Sequence, residues 1–321
     1  MGSLPALPAL AAIEEARKRI REAVRRTPLA PADERFEDEA LYLKLETFQP
    51  VGSFKIRGVF NAVAALSESE RARGVQTVSA GNTAQALAWS ARRFGVRARS
   101  LMPESAPAAK IEAVRFYGGE PVLVPVAEVF RYLREEGWKD EPYAFIHPWT
   151  NRDVMTGHGS LGLEILEDLP DVERVLVPVG GGGLLAGVGA ALRAAKPSVE
   201  VVAVEPEGCA ALYRSLEAGR PMEVECRTIA DGVAVPYITE EMFPLLRDLA
   251  SSVALVSEDR IQSAVRRLAL WNKIVAEPSG ALSVAAALAI PKARRKKTVA
   301  LVTGGSIDPA KLASILMEDG E

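Results

Sequence analysis

The chain has 321 residues, of which 48% are hydrophobic and 25% charged, and its formal net charge at pH 7 is −3. This length is enough for a large core divided between two lobes, and the charge provides no basic surface for nucleic acid or an anionic membrane. The two cysteines, Cys209 and Cys226, lie outside any CxxC motif and there are two histidines, which argues against a disulfide framework and a zinc cluster.

The N-terminus, Met1 to Pro5, lacks the basic start and unbroken apolar stretch of a signal peptide. No window reaches the ~18 uninterrupted apolar residues that a membrane-spanning helix needs. We therefore expect a cytoplasmic protein that has no membrane partner and no nucleic-acid partner.

Strand-like and helix-like segments alternate along the chain, which predicts an α/β fold of βαβ units with parallel sheets covered on both faces. Residues 74–148 contain their own strand–helix series, so we predict two sheets. The predicted strands are 41–46, 75–79, 98–102, 122–126, 174–179, 200–204, 253–256 and 298–302. Predicted helices include 56–66, 84–94, 108–117, 184–195 and 260–271. Ligand sites in such folds lie beyond the carboxyl ends of the strands, often between lobes.

The first junction of interest is Ser53-Phe54-Lys55-Ile56-Arg57-Gly58, which follows the strand 41–46 and opens a helix. A lysine here, beside Phe54, can be partly desolvated. Desolvation lowers the pKa of an amine and makes it a usable nucleophile toward an aldehyde.

A second junction, Ser79-Ala80-Gly81-Asn82-Thr83, lies between a predicted strand and a helix. Its backbone amides are suited to a carboxylate, and the Asn82 side chain to a polar ligand edge. The alternative is a plain helix N-cap by Asn82 or Ser79.

The third junction is Gly180-Gly181-Gly182-Gly183-Leu184, after the strand 174–179. Four glycines and a helix N-terminus suit a phosphate monoester. The loop lacks the Lys-Ser/Thr ending of a P-loop, so ATP is disfavoured. Two alternatives stay open: a dinucleotide site with Glu205 as the acidic residue, and tight strand–helix packing without a ligand.

Near the C-terminus, Thr303-Gly304-Gly305 offers the neutral hydroxyl of Thr303 at a strand end. The turn 277–281, which begins with Glu277-Pro278, is interpreted as structural or supporting.

Together these segments resemble the fold type II (tryptophan-synthase-β-like) pyridoxal-phosphate enzymes, and within them the serine/threonine dehydratase (threonine ammonia-lyase) and serine racemase family. The resemblance extends over essentially the whole chain. Its ordered motifs are Ser53–Gly58, Ser79–Asn82, Gly180–Gly183, Ile229-Ala230-Asp231-Gly232 and Thr303–Gly305.

The resemblance implies two doubly wound open parallel-sheet domains, 74–148 closing on a larger unit of 1–73 and 149–321, with pyridoxal 5′-phosphate in the cleft and a homodimer. It implies that Lys55 bonds to the cofactor and acts as the base on Cα, and that Phe54 flanks the pyridine ring. Asn82 would bind the phenolic oxygen and Thr303 the ring nitrogen. Phosphate-binding amides would come from Gly180, Gly181, Gly182, Gly183 and Leu184, and the substrate carboxylate would bind at Ser79, Ala80, Gly81, Asn82 and Thr83.

Several positions depart from the family pattern. Ala80 replaces the serine that racemases use on the opposite face of the substrate, which counts against racemisation. Thr83 replaces a histidine usual in dehydratases, and Trp149, if it borders the cleft, would allow a larger substrate side chain. The second acidic ligand of the family's cation site is missing after Glu205, so we expect no metal. We also expect no C-terminal regulatory domain.

The leading hypothesis is a pyridoxal-phosphate ammonia-lyase that dehydrates and deaminates L-threonine, L-serine or another 3-hydroxy amino acid to a 2-oxo acid and ammonia. A neutral hydroxyl beside the ring nitrogen favours loss of the β-substituent over a long-lived carbanion. The alternatives are a dehydratase for a bulkier substrate such as phenylserine, an amino-acid racemase, a β-replacing synthase, and a non-catalytic nucleotide-binding module.

Overall fold

The computed structural model describes residues 7–317, so the segment Met1 to Pro5, which is expected not to begin a signal peptide, lies outside the described residues. Within that range the helices are α1 Leu10–Ile20, α2 Lys55–Ala65, α3 Glu68–Ala72, α4 Asn82–Phe94, α5 Ala108–Phe116, α6 Val126–Arg134, α7 Arg152–Asp168, α8 Gly183–Ala195, α9 Ala211–Ala218, α10 Met242–Leu249, α11 Glu258–Arg267, α12 Pro278–Leu288 and α13 Pro309–Met317. The strands are β1 Leu29–Pro31, β2 Leu41–Leu45, β3 Val75–Val78, β4 Ala98–Pro103, β5 Glu120–Val124, β6 Ala144–Phe145, β7 Arg174–Pro178, β8 Glu200–Pro206, β9 Ser252–Val256 and β10 Thr298–Val302.

Six strands form the larger sheet in the order β1-β2-β10-β7-β8-β9. All neighbours are parallel except β1, which pairs antiparallel with β2 at one edge. The central strand β10 is buried along its whole length, as its apolar sequence predicts for a strand covered on both faces.

Four strands form the smaller sheet in the order β5-β4-β3-β6, all parallel. Every strand of this sheet lies between Val75 and Phe145. The predicted fold class, α/β with two parallel sheets, is confirmed, whereas the division into domains at residues 73/74 and 148/149 stays a prediction.

Two short strands, β1 and β6, were not predicted because three or two residues carry too little periodicity. Strand β5 ends at Val124, two residues before its predicted end, since Pro125 and Val126 begin α6. The predicted helix 260–271 is α11 followed by a π-helical turn, Leu268–Asn272.

Helix α2 packs very closely against α7. A Cβ on Gly58 would overlap the Val154 carbonyl oxygen, and one on Gly157 would overlap the Arg57 carbonyl oxygen. These glycines allow the two helix backbones to touch, which places the start of α2 firmly in the fold.

A buried charge network also holds α2. Arg57 Nε lies 2.7 Å from Glu46 Oε2, and Arg57 Nη1 lies 2.7 Å from Glu164 Oε1 on α7. Lys44 Nζ lies 3.0 Å from Glu164 Oε2. Because opposite charges surround each buried group, the burial cost of the guanidinium is offset.

The expectation that the cysteines would not form a disulfide is contradicted, because Cys209 and Cys226 are bonded to each other, with Cα atoms 4.3 Å apart. The main chain brings them together, since the Arg227 N–H donates to the Gly208 carbonyl at 2.8 Å. This pairing follows from the path of the loop after α9, which no local cysteine spacing indicates.

Among the helices of residues 7–317, none has the combined length and apolar character needed to cross a bilayer.

Candidate active site

A cavity of about 270 Å³ lies between the two sheets. It is bordered by the segments that follow β3, β4, β6, β7 and β10, all at carboxyl ends of parallel strands. Every residue to which the family resemblance assigns a catalytic, cofactor-binding or substrate-binding role lines it, namely Phe54, Lys55, Ser79, Ala80, Gly81, Asn82, Thr83, Gly180, Gly181, Gly182, Gly183, Leu184 and Thr303.

Lys55 is the first residue of α2, and its Nζ lies 4.9 Å from the centre of the Phe54 ring. Burial lowers the pKa of the Lys55 ammonium to about 8, against the opposing effect of the Glu277 carboxylate. A neutral amine is therefore much more accessible here than on a surface lysine.

The Ser79–Thr83 turn presents the N-terminus of α4 to the cavity. The Gln85 N–H donates to the Gly81 carbonyl at 2.9 Å, so the amides of the preceding residues have no acceptor within the helix. In the turn itself, the Ser79 N–H donates to the Leu101 carbonyl and the Gly81 N–H to Ser79 Oγ. The first amides of α4 and the helix dipole together suit an anion such as a carboxylate.

Asn82 does not cap α4, and the alternative of a plain N-cap by this side chain is wrong. Its Nδ2 donates instead to Glu277 Oε1, and its Oδ1 is buried without a hydrogen-bond partner. The carboxamide therefore has unused bonding capacity inside the cavity.

The glycine loop presents the N-terminus of α8 in the same way. The Ala186 N–H donates to the Gly182 carbonyl at 2.9 Å, so the amides of Gly183 and Leu184 have no acceptor within the helix. Gly182 has φ +93°, and a Cβ on Gly181 would overlap the Trp149 ring. Tight packing and open amides thus occur together at this loop.

Thr303 is buried at the end of β10, where its carbonyl accepts the Phe54 N–H at 3.0 Å. Its hydroxyl makes only a long contact of 3.4 Å to the Ser279 carbonyl oxygen. The hydroxyl is thus held beside Lys55 and Phe54 and retains the capacity to bind a ligand atom.

Three charged side chains, Lys110, Asp231 and Glu277, close one end of the cavity. Lys110 Nζ lies 2.7 Å from Asp231 Oδ2 and 3.0 Å from Glu277 Oε2. Burial raises the pKa of the Glu277 carboxyl. Lys110 was not predicted, since nothing local to α5 distinguishes it from a solvated lysine, and Glu277 was predicted to be structural or supporting.

The other side of the cavity is apolar. Val126, Val129, Phe130 and Leu133 of α6 line it, with Trp149 facing them from the β6 end. These four positions have the i, i+3, i+4, i+7 spacing of one helix face, a signal that was present in the sequence and was not connected to the site. The condition that Trp149 borders the cleft is met.

Glu205 is not among the cavity residues. Its two carboxylate oxygens accept the N–H groups of Leu212 and Tyr213 at 2.8 Å each, at the start of α9. Burial raises the pKa of this carboxyl to about 7. Because the carboxylate caps a helix, the dinucleotide alternative has no acidic partner for a ribose. Within residues 7–317 there is no group of three or more His, Cys, Asp or Glu side chains placed to hold a metal, and the absence of a metal stays a prediction.

The residues of the cavity fit a phosphorylated aromatic aldehyde. Amides of the glycine loop suit its phosphate, the Lys55 amine its aldehyde, and the Phe54 ring its face. Among the cavity residues, Asn82 Oδ1 is a buried polar atom without a partner in the chain, and such atoms are normally satisfied by a ligand or water.

Comparison with known proteins agrees with this geometry. A family model described as pyridoxal-phosphate dependent enzyme matches residues 20–304. The chain is 40% identical over 302 residues to an L-threonine ammonia-lyase of Thermotoga maritima, and the match covers 92% of this chain and 75% of the relative. The structure of maize serine racemase matches with a TM-score of 0.89 and 33% identity, over 96% of this chain and 97% of that one. The crystal structure of a T.th. threonine deaminase matches with a TM-score of 0.86 and 39% identity, over 94% of this chain and 99% of that one.

Proposed function

Because this chain belongs to the pyridoxal-phosphate dependent enzyme family, we propose that it eliminates water from an L-3-hydroxy amino acid, of which L-serine and L-threonine are the simplest. The enamine that leaves the site is then hydrolysed, with uptake of one water, to a 2-oxo acid and ammonia. The cofactor is pyridoxal 5′-phosphate. For L-threonine the products are 2-oxobutanoate and ammonia. The observation that carries the proposal is the partly buried Lys55 amine between two helix N-termini, one suited to a phosphate and one to a carboxylate.

Lys55 is the proposed attachment residue and the proposed base. When bound, pyridoxal 5′-phosphate draws electrons from the attached amino acid and makes its Cα proton acidic. The Lys55 Nζ then takes that proton, which its pKa of about 8 permits because a neutral amine is populated near neutral pH.

The glycine loop is the proposed phosphate site, with amides from Gly180 to Leu184. The Ser79–Thr83 turn is the proposed carboxylate site. Both are helix N-termini, so each binds an anion without a dedicated arginine. The distance between the two anionic groups of the bound molecules is thereby set by two rigid helices.

Phe54, Asn82 and Thr303 are proposed to orient the ring. Phe54 covers one face, Asn82 binds the phenolic oxygen, and Thr303 binds the ring nitrogen. The Thr303 hydroxyl is neutral and does not hold a proton on that nitrogen as a carboxylate would, which favours elimination over reactions that need a long-lived carbanion.

Ala80 supports elimination over racemisation. Inversion at Cα needs a second acid/base group on the face opposite Lys55, and the methyl group of Ala80 cannot transfer a proton. We expect incubation with L-serine to yield pyruvate and ammonia, with D-serine staying below detection by chiral chromatography.

The test is direct. Holoprotein is incubated with L-threonine, L-serine and L-threo-3-phenylserine, and ammonia and 2-oxo acid are measured; equal amounts of both products are expected. Lys55→Ala should abolish product formation and the borohydride-sensitive visible absorption. Failure of every 3-hydroxy amino acid to release ammonia from the loaded protein would contradict the proposal. New products formed only in the presence of sulfide would favour a β-replacing synthase.

A homodimer in the cytoplasm remains part of the proposal. The homodimer is supported by the family resemblance and by the half-exposed apolar side chains of Phe48 and Val275. For the cytoplasm, the Cys209–Cys226 disulfide counts against the argument from cysteine usage. Light scattering of the purified holoprotein would test the dimer, with a mass near 34.4 kDa counting against it.

A further inference from the structure

The inner face of α6 forms an apolar wall inside the cavity. Val129 and Leu133 are buried, and Val126 and Phe130 complete the same face. Trp149 and Val235 extend the wall on the side of the larger sheet. These six residues, Val126, Val129, Phe130, Leu133, Trp149 and Val235, form the apolar wall of the cavity.

The wall is held across the cleft by contacts between the two lobes. The Phe130 ring packs edge-on against Tyr237, with centroids 6.3 Å apart. Arg134, one turn further along α6, lies over the Tyr237 ring at 5.1 Å and pairs with Glu223. Glu223 and Tyr237 also form a main-chain bridge. The wall is thus one side of the cavity, and contacts from both lobes set its position. It is open at the start of α6, where Val126 is 46% exposed.

Charge is confined to the other part of the cavity. Among the described residues that line it, the cations are Lys55 and Lys110, and Lys110 is engaged by Asp231 and Glu277. No arginine lines the cavity within residues 7–317. The side chains of the wall carry one polar atom, Trp149 Nε1, which is buried without a partner. A single neutral N–H does not replace the hydration of a carboxylate, so an anionic side chain placed against the wall would lose more than it gains.

The rest of the substrate has assigned places, which rest on the function proposed above. Its amino group is at Lys55 and its carboxylate is at the Ser79–Thr83 turn. The remaining substituent, on C3, faces either the charged triad or the apolar wall. The triad is held together by ion pairs, and its Glu277 Oε2 is buried without a hydrogen bond, so it suits a hydroxyl and offers an apolar group nothing. An apolar group instead gains burial at the wall.

We propose that the apolar wall is the specificity-determining surface of this site, and that it selects 3-hydroxy amino acids whose C3 substituent is apolar and larger than methyl, either aryl or branched alkyl. L-Threonine leaves much of the wall without contact, and L-serine leaves all of it. A substituent with a carboxylate, as in 3-hydroxyaspartate, is rejected.

The first test uses amino acids that have no C3 hydroxyl and so cannot undergo the elimination. Binding of L-alanine, L-leucine, L-phenylalanine and L-aspartate to the holoprotein is measured from the change in the cofactor absorption spectrum. A single methylene in a fitted apolar pocket is worth about tenfold or more, so L-leucine and L-phenylalanine should bind at least about tenfold more tightly than L-alanine. Equal affinities, or tighter binding of L-alanine or L-aspartate, would overturn the proposal.

Variants then assign the effect to α6. Phe130→Ala should reduce the ratio of L-phenylalanine to L-alanine affinity by about tenfold, and Phe130→Leu should keep most of it. Phe116→Ala is the matched control, since Phe116 lies on α5 of the same lobe and is 76% exposed; its ratio should not change. If Phe130→Ala and Phe130→Leu both leave the ratio unchanged, α6 does not determine specificity and the proposal is wrong.

Steady-state kinetics keep the two proposals distinct. We expect kcat/KM for L-threo-3-phenylserine and 3-hydroxyleucine to exceed that for L-threonine by about tenfold or more. Ammonia release that is fastest with L-threonine overturns the specificity and leaves the reaction standing. Selective binding of L-phenylalanine without ammonia release from any substrate overturns the reaction and supports the apolar wall.

Discussion

At the scale of single residues, reactivity in this site comes from burial more than from neighbouring cations. The pKa of Lys55 is lowered by desolvation, and the one charge that affects it, Glu277, acts in the opposite direction. The same dry environment raises the pKa of Glu277. The removal of water from around Lys55 and Glu277 therefore shifts both pKa values toward the neutral forms of the two groups.

The first prediction concerns the pH dependence of cofactor attachment. The protonated amine is not nucleophilic, so the rate at which the apoprotein binds pyridoxal 5′-phosphate covalently should rise with pH and level off above about 8. Glu277→Gln removes the charge that favours the ammonium, so the midpoint should move to lower pH. Stopped-flow absorbance measures both. A rate that still climbs at pH ~10 in both proteins would argue against a lowered lysine pKa.

The second prediction concerns the glycine loop. Gly181→Ala places a methyl group into the Trp149 ring. Either the glycine loop or the indole ring must therefore move, and the amides proposed to bind the phosphate shift with the loop. We expect cofactor affinity to fall by about tenfold or more, that is ~1.4 kcal/mol or more, in a titration of the apoprotein.

Gly95→Ala is the control for that experiment. Gly95 ends α4 with φ +66°, and a Cβ added there would meet no other atom within 4 Å. The change should therefore lower the free energy of unfolding by about 1 kcal/mol without altering the affinity for the cofactor. Equal affinities for the two variants would mean that the close contact at Gly181 has no bearing on the cofactor site.

At the scale of elements, the position of α2 decides where Lys55 lies. The helix is held by backbone contact with α7 and by the buried ion pairs of Arg57 with Glu46 and with Glu164 of α7. Local sequence predicts the helix itself, since its apolar residues recur at helical spacing. Glu164, the partner of Arg57, is 107 positions away along the chain, so no local pattern predicts this ion pair.

The third prediction tests this anchoring. Arg57→Leu leaves two buried carboxylates without their main partner, and breaking a buried pair in this way costs about 3–5 kcal/mol. Chemical denaturation should show that loss, or the protein should fail to fold. Arg131→Leu removes an exposed pair with Glu128 and should leave the unfolding curve unchanged. Similar curves for both variants would mean that the buried network does not stabilise α2.

At the scale of the whole molecule, the site exists only where two sheets meet. The glycine loop proposed for the phosphate and Thr303 follow strands of the larger sheet, while the turn proposed for the carboxylate and α6 follow strands of the smaller one. A bound cofactor and substrate therefore contact both parts of the molecule and favour the arrangement in which both are folded and close together.

The fourth prediction follows from that linkage. A ligand present at about 100 times its Kd stabilises the folded state by about 2.7 kcal/mol, so pyridoxal 5′-phosphate should raise the melting temperature by several degrees. Thermal unfolding followed by circular dichroism would measure the shift. Lys55→Ala should retain only part of it, from the phosphate contacts. A melting temperature that does not depend on cofactor concentration would show that binding is not coupled to folding.

The sequence by itself determined the α/β class, most strands and helices, and the glycine-containing junctions that supply the cavity with residues, including the junction that carries Lys55. Each of these depends on a periodicity or a motif within about ten residues, and strand ends of parallel sheets converge wherever the sheets form. Tertiary structure alone decided the remainder. The triad joins Lys110 to Asp231 across 121 positions, the disulfide closes a loop that no CxxC spacing marks, and Glu205 caps a helix instead of meeting a ligand. The apolar face of α6 was visible as a pattern, but a pattern shows only that one face is buried. Whether that face meets a core or a substrate depends on what the fold places opposite it, and here that is the cavity.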